Sequence, residues 1–272
     1  AIFNDAFRDV LRGNNSPARG FVNGDQHNSL LGWGVIEGVK GSINTLTSKP
    51  RETINYVDAH DNYTLWDHIE KSQYPETLVG EYRRNIPDNP FDSELVRQNM
   101  LALGIILTSQ GVPFMQGGVE ILRTKNGDHN SYRSGDDVNA FHWQDKAKFK
   151  PVFDYVRGLI ELRRKHPAFR MTNRHDIDES MTVNALHNNE KSGVIYTLYR
   201  NHANGDAWKT IIVIYNATAI DNYNVNDSLP ASESGVWNIV VNHERAGIDS
   251  LAVVENGHIP PLKSHSMMVL YA

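Results

Sequence analysis

The stretch SELVRQNMLALGIILTSQG, residues 93–111, constrains the fold of this chain more than any other. Ser93 supplies an N-cap and the first turns are amphipathic, but from Met100 to Leu107 the residues are apolar nearly all round. Such a helix is stable in water only where other elements cover it on every side. The run MLALGIILTSQGV is too short and too interrupted to cross a bilayer. The helix therefore belongs in the middle of a layered, water-soluble core, and the rest of the chain must supply the layers.

Through residue 171, short apolar runs alternate with helical patterns. AIFNDAFRDVLRG offers Asn4 as an N-cap, Phe7, Val10 and Leu11 at helical spacing, and Gly13 as a stop. Ile54, Tyr56 and Val57 read as a short strand, followed by a long polar loop with Pro75, Pro87 and Pro90. VPFMQGGVE reads as another short strand, broken at Gly117 and Gly118. After a second polar loop, Pro151 suits a helix first turn, with Phe153, Val156, Leu159 and Ile160 on one face and a stop at His166-Pro167. Strands alternating with helices, with polar loops after the strands, predict a parallel α/β sheet or barrel.

From residue 172 the texture changes. GVIYTLYR, KTIIVIYN, VWNIVV and SMMVLYA are short, β-rich and separated by Asn, Gly, Asp and Ser clusters, with no helical period. Residues 172–272 are expected to form an antiparallel all-β domain, most simply a sandwich, with the boundary near Arg170 to His175. The 272 residues suffice for one large domain or a medium one with a smaller companion. A net charge of −5 without a long basic run argues against nucleic acid as a partner. With no cysteine there is no disulfide framework, no thiol nucleophile and no cysteine-based zinc motif. The chain begins with Ala1 directly on a structured pattern, so it is expected to start inside a longer protein, and any targeting signal would lie upstream.

Chemistry concentrates in two places. TINYVDAHDNYTLWDHI, residues 53–69, packs Asp58, His60, Asp61, Asn62, Asp67 and His68 behind an apolar run. The second polar loop brings Glu120, Asp128, Asp136 and Asp137 with Tyr132 and Trp143. Groups after neighbouring parallel strands face one cleft. Metal ligation is one reading, since His-Asp doublets occur in metal-dependent phosphohydrolases, but no i, i+4 histidine pair of the HExxH type occurs. Carbohydrate chemistry is better served: it needs carboxylates at close quarters and aromatic faces, here Tyr63, Trp66, Tyr132 and Trp143. Against both, a strand-end Asp often caps a helix and a loop Trp is more often packing. A paired His60 and Asp61 is harder to explain as packing.

These residues resemble a known family. YVDAHDNYTLWD, residues 56–67, is similar to the fourth conserved region of the α-amylase superfamily in the form used by type I pullulanases. GVPFMQGGVEILRTKNGDHNSYRSGDDVNAFHW, residues 111–143, resembles the segment around the eighth barrel strand, and its RTK, NSY and SGD elements narrow the match to pullulanases. AIFNDAFRDVLRG with GFVNGD resembles the sixth strand and helix, and the β-rich tail the C-terminal sandwich. The resemblance implies that residues 1–171 are the C-terminal part of a (β/α)8 barrel, strands six to eight. It further implies a retaining hydrolase acting on α-1,6-glucosidic bonds in pullulan and branched α-glucans.

By the same resemblance Asp61 is the carboxylate that stabilises the transition state, and His60 its neighbour on the sugar hydroxyls. Asn62, Arg123, Asn130, Tyr132, Asp136 and Asn139 fall on cleft-lining positions. No segment like GFRFD for the nucleophile or GEGW for the general acid is present. The N-terminal part of the same enzyme is thus the expected partner, with α-glucan as substrate and the isolated chain inactive. The alternative is a non-catalytic α-glucan-binding module. No cofactor is required; calcium occurs in the superfamily, but no loop here has strong ligand spacing.

Overall fold

A computed structural model describes residues 1–24, 29–83, 85–186, 193–200 and 202–272. Asp25, the last residue of GFVNGD, lies outside them. Strand β1 (Ile2–Phe3) leads into helix α1 (Asp5–Arg12), where Asn4 caps by accepting from Phe7 N and Gly13 ends the helix, as its sequence predicts. Helix α2 (Ser29–Val39) follows, then β2 (Thr53–Asn55), helix α3 (Leu65–Gln73), helix α4 (Glu94–Thr108) and β3 (Val112–Pro113). The strands form a parallel three-stranded sheet in the order β1-β2-β3.

Strand β2 is shorter than expected, for a definite reason. Its last ladder bonds are Asn4 N to Ile54 O and Phe114 N to Asn55 O. Beyond them side chains take over: Arg12 donates to Val57 O, and the Tyr56 hydroxyl sits between Arg8 and Asp5. Tyr56 and Val57 are therefore buried after the strand, not in it. The strand centre is polar as well, with Asn4 bonded to Asn55 and Asn55 to Gln110 O. Ile2, Phe3 and Val112, on the two outer strands, stay substantially exposed.

Helix α4 is the axis of the molecule. Every residue from Val96 to Thr108 is buried, as the apolar pattern demands. It packs against α3, α7 (Lys150–Lys165) and the strands β6 (Ile211–Asn216) and β9 (Ser266–Tyr271). Its C-terminal carbonyls, which have no helical partner, meet a buried cation. Arg163 of α7 donates to Leu107 O (2.9 Å), Ser109 O (2.7 Å) and Gly111 O (2.6 Å). Gly111 has φ +103, and a Cβ there would lie 2.9 Å from the Asn55 amide, so only glycine turns the chain from α4 into β3.

The second loop is less irregular than expected, with short helices α5 (Asp136–Asn139) and α6 (Asp145–Lys148) before α7. Helix α7 carries Pro151 in its first turn and ends at His166, as predicted. The region after residue 172 is not purely β. Asn173 caps a further helix, α8 (Arg174–Ser180), by accepting from Asp176 N; its seven residues are too few for a visible period.

Then come β4 (Met181–Ala185), β5 (Val194–Tyr199), β6, β7 (Val236–Val241), β8 (Ala252–Glu255) and β9. They make one antiparallel sheet in the order β4-β5-β6-β9-β7-β8. Alternate residues of β6 serve two cores: Ile211, Val213 and Tyr215 join the α4 cluster, and Ile212 and Ile214 join Trp237, Ile259 and Leu262. Among the described residues, loops and the isolated bridge Tyr223–Leu262 cover that second face, not another sheet. The first core runs unbroken from Phe7 to Val269, across the expected boundary at residue 171.

Candidate functional site

The loops after β2 and β3 meet around a cleft of about 320 Å³ lined by His60, Asp61, Gln116, Arg123, Lys125, His129, Asn130, Ser131, Tyr132 and Asn139. Larger hollows lie elsewhere, beside Trp66 and Glu70, between α7 and the β7–β8 connection, and along α7 at Arg157 and Arg164. Size does not choose the site. The smaller cleft alone gathers the paired His60 and Asp61 with cationic and amide donors from a second loop, which is the mixture that recognition of a polyhydroxylated ligand requires.

His60 and Asp61 stand on the rim with side chains 87% and 76% exposed, His60 Nε2 lying 3.4 Å from Asp61 Oδ2. The loop that presents them is held below. Asp58, 2% exposed, accepts from Leu65 N at 3.1 Å and so closes residues 58–65 at their base. Burial pushes its carboxyl up to about 6, against the pull of the Leu65 bond and the Arg12 charge. Asp67, in the first turn of α3 and capped there by Thr64 Oγ1, binds the second loop. It accepts from Thr124 Oγ1, from Lys125 N (2.8 Å) and from Gly127 N (3.3 Å). Burial raises its carboxyl too, opposed by these bonds.

His68 is buried and neutral. Arg12 Nη1 donates to its Nδ1 (2.6 Å) while its Nε2 faces Arg12 O (2.7 Å), which assigns the proton to Nε2. Burial and the Arg12 charge depress it to about 3. Asp58, Asp67 and His68 are thus scaffold under the cleft, although they are conspicuous in the sequence cluster.

In the second loop, Arg123 donates to Asn139 O (2.7 Å) and lies over the Phe141 ring at 4.0 Å. Asn139 donates to Ser131 O and Ser134 O. Asp128 accepts from Asn130 N and Ser134 Oγ, bonds that hold its carboxyl below the usual range. Tyr132 is 71% exposed at the cleft. Phe141 and Trp143 stack at 5.2 Å, both open to solvent.

Six of the eight expected site residues therefore meet: His60, Asp61, Arg123, Asn130, Tyr132 and Asn139. Asn62 and Asp136 do not line the cleft. Asn62 adopts φ +64 and turns the chain into α3, and Asp136 heads α5. Glu120 accepts from Gly118 N within its own turn. Trp66 is buried and donates to Glu70, so it is packing and not a ring platform. Gln116, Lys125, His129 and Ser131 also line the cleft, and of these Lys125 and Ser131 sit inside the RTK and NSY elements, the signal in the sequence that points to them. No group of three or more metal-ligating His, Asp or Glu side chains occurs among the described residues.

Comparison with known proteins bears on this arrangement. The family described as "Pullulanase, all-beta domain" matches residues 183–245. The pullulanase of Bacillus subtilis (strain 168) is 36% identical over 224 residues, covering 80% of this chain and 28% of its own. Among solved structures, pullulanase from Bacillus acidopullulyticus superposes with a TM-score of 0.82 at 38% identity, over 100% of this chain and 30% of that one. The type I pullulanase from Bacillus subtilis str. 168, complexed with maltose, gives 0.81 at 30% identity, over 100% and 35%. An isoamylase of Flavobacterium sp and a glycogen debranching enzyme of Pectobacterium carotovorum match under half of the chain, at 31% and 27% identity.

These relatives define the class as debranching glycoside hydrolases. The chain spans about a third of the length of the structures it matches. Within the class, the relatives similar to it over most of its own length include the pullulanases of Bacillus subtilis and Bacillus acidopullulyticus.

Proposed function

We propose that this chain is the C-terminal part of a retaining hydrolase of α-1,6-glucosidic bonds in pullulan and branched α-glucans. The observation that carries the reading is the His60-Asp61 pair on the rim of a cleft floored by Lys125 and walled by Arg123, Asn130 and Tyr132. Cleavage of a glucosidic bond builds positive charge on the anomeric carbon, and an ionised carboxylate beside it lowers the barrier. Asp61 takes that role, with His60, Asn130 and Arg123 donating to sugar hydroxyls. Tyr132 offers an exposed ring for the apolar face of a glucose unit. The maltose held by the Bacillus subtilis relative fits a glucan ligand.

The nucleophile and general acid come from the N-terminal part of the enzyme. A retaining mechanism needs two carboxyl groups about 5–5.5 Å apart acting as a pair, and neither expected motif is in this chain. In this reading residues 1–171 complete a (β/α)8 barrel, against which the single antiparallel sheet of the C-terminal region packs through the α4 core. The half-exposed Ile2 and Phe3 of edge strand β1 suit a joint with a preceding strand. The test is a reducing-sugar assay on pullulan with and without the N-terminal part, in wild type and Asp61→Asn. The 272-residue chain alone is expected to be inactive. The completed enzyme should lose at least about 10²-fold in kcat on the substitution. Pullulan hydrolysis by the chain alone, or full activity in the variant, would overturn the proposal.

A further inference from the structure

One side chain joins the two loops of the cleft. Lys125 Nζ donates to the backbone carbonyl of His60 at 2.7 Å. Lys125 is only 3% exposed, although a lysine head normally stays in water. Burial lowers its pKa, so the charge is held there at a cost. The Asp67, Asp128 and Asp61 charges offset part of that cost, and the hydrogen bond the ammonium makes goes to a neutral carbonyl. Its specific contribution is that one bond to the loop carrying Asp61.

What it does supply is a fixed point one peptide bond ahead of Asp61. The lysine is itself anchored, because Asp67 accepts from its backbone N–H and from Gly127 N and Thr124 Oγ1. On the other side of Asp61, Leu65 N donates back to Asp58 and closes the loop. The catalytic candidate is thus an exposed carboxylate on a loop that is pinned on both flanks, and of those bonds the one from Lys125 Nζ joins the second loop to the residue next to Asp61.

We propose that Lys125, seated by Asp67, is a positioning residue for Asp61, holding the His60 carbonyl so that the carboxylate meets the sugar in one orientation. The role rests on the debranching function above, but the clamp itself is testable without it. In the 272-residue chain, hydrogen exchange read by mass spectrometry over residues 58–64 is expected to speed at least about tenfold in Lys125→Met. Exchange in α4 should stay unchanged, and Lys125→Arg should restore part of the protection. Lys125→Gln serves as a second variant should Met misfold. In the completed enzyme, Lys125→Met should lower kcat on pullulan about 10²-fold with KM within a few-fold, and Lys125→Arg should recover part of it.

Unchanged exchange at 58–64 would overturn the clamp. So would loss of α4 protection in both neutral variants, which would make Lys125 a general stabiliser. If the completed wild-type enzyme fails to cut pullulan, the functional reading falls, while the exchange result still decides the clamp.

Discussion

Replacing Arg163 with Met tests the idea that one buried cation terminates the central helix. The wild-type guanidinium makes three charge-assisted bonds to the carbonyls of Leu107, Ser109 and Gly111. Each such bond is worth about 1.5–3 kcal/mol. Against that stands the desolvation of the guanidinium itself, several kcal/mol once water is excluded. Burial accordingly brings Arg163 down to about 10. Methionine relieves the second term and leaves two buried carbonyls and a half-buried one without that donor, so the net loss is about 2–4 kcal/mol. Lysine retains the charge but not the planar fork, and falls between the two.

Urea unfolding followed by circular dichroism reads this directly. With a slope of about 2–3 kcal/mol per molar, the Met variant should unfold about 1 M earlier at an unchanged slope. The consequence reaches the cleft, because Gly111 leads into β3 and on to Gln116. A midpoint shift under about 0.3 M would refute the reasoning, since the carbonyls would then have found other donors at little cost.

Two further outcomes follow from the same physics. Gly104 faces β9 so closely that an added Cβ would lie 2.2 Å from Met267 Sδ; Gly104→Ala should cost about 1–3 kcal/mol in thermal unfolding. A gain in stability would mean that helix propensity outweighs the crowding. Asp58 has a folded-state pKa raised to about 6, above its value in the unfolded chain, so its burial penalty is present above pH 6 and is relieved as pH falls toward 4. Asp58→Asn keeps an acceptor for Leu65 N and should therefore be more stable than wild type near pH 8, the difference shrinking by pH 4. Parallel melting profiles across that range would contradict it.

Local patterns carried much of this fold. The caps at Asn4 and Ser93, the stops at Gly13 and His166, the all-round apolarity of Met100 to Leu107 and four of the six sheet strands after residue 172 are short-range signals, each settled within a few residues of chain. So was the pairing of His60 with Asp61. What local pattern did not carry was the division of labour inside the cluster. Asp58, Asp67 and His68 look like site residues along the chain, but they turn inward because Leu65 N, the 124–127 backbone and Arg12 wait there as partners.

Helix α8 and the two edge strands β4 and β8 escaped for a similar reason. Seven, five and four residues are too short for a period to show, and contacts with other elements hold them in place. Lys125 is the clearest case. In sequence it is one cation in a polar loop; only the tertiary structure brings it under His60, sixty-five positions away, where the absence of water turns an ordinary lysine into a fixed point. Hydrophobic period and capping are properties of neighbours in sequence, whereas burial and hydrogen-bond partnership across the cleft are properties of neighbours in space.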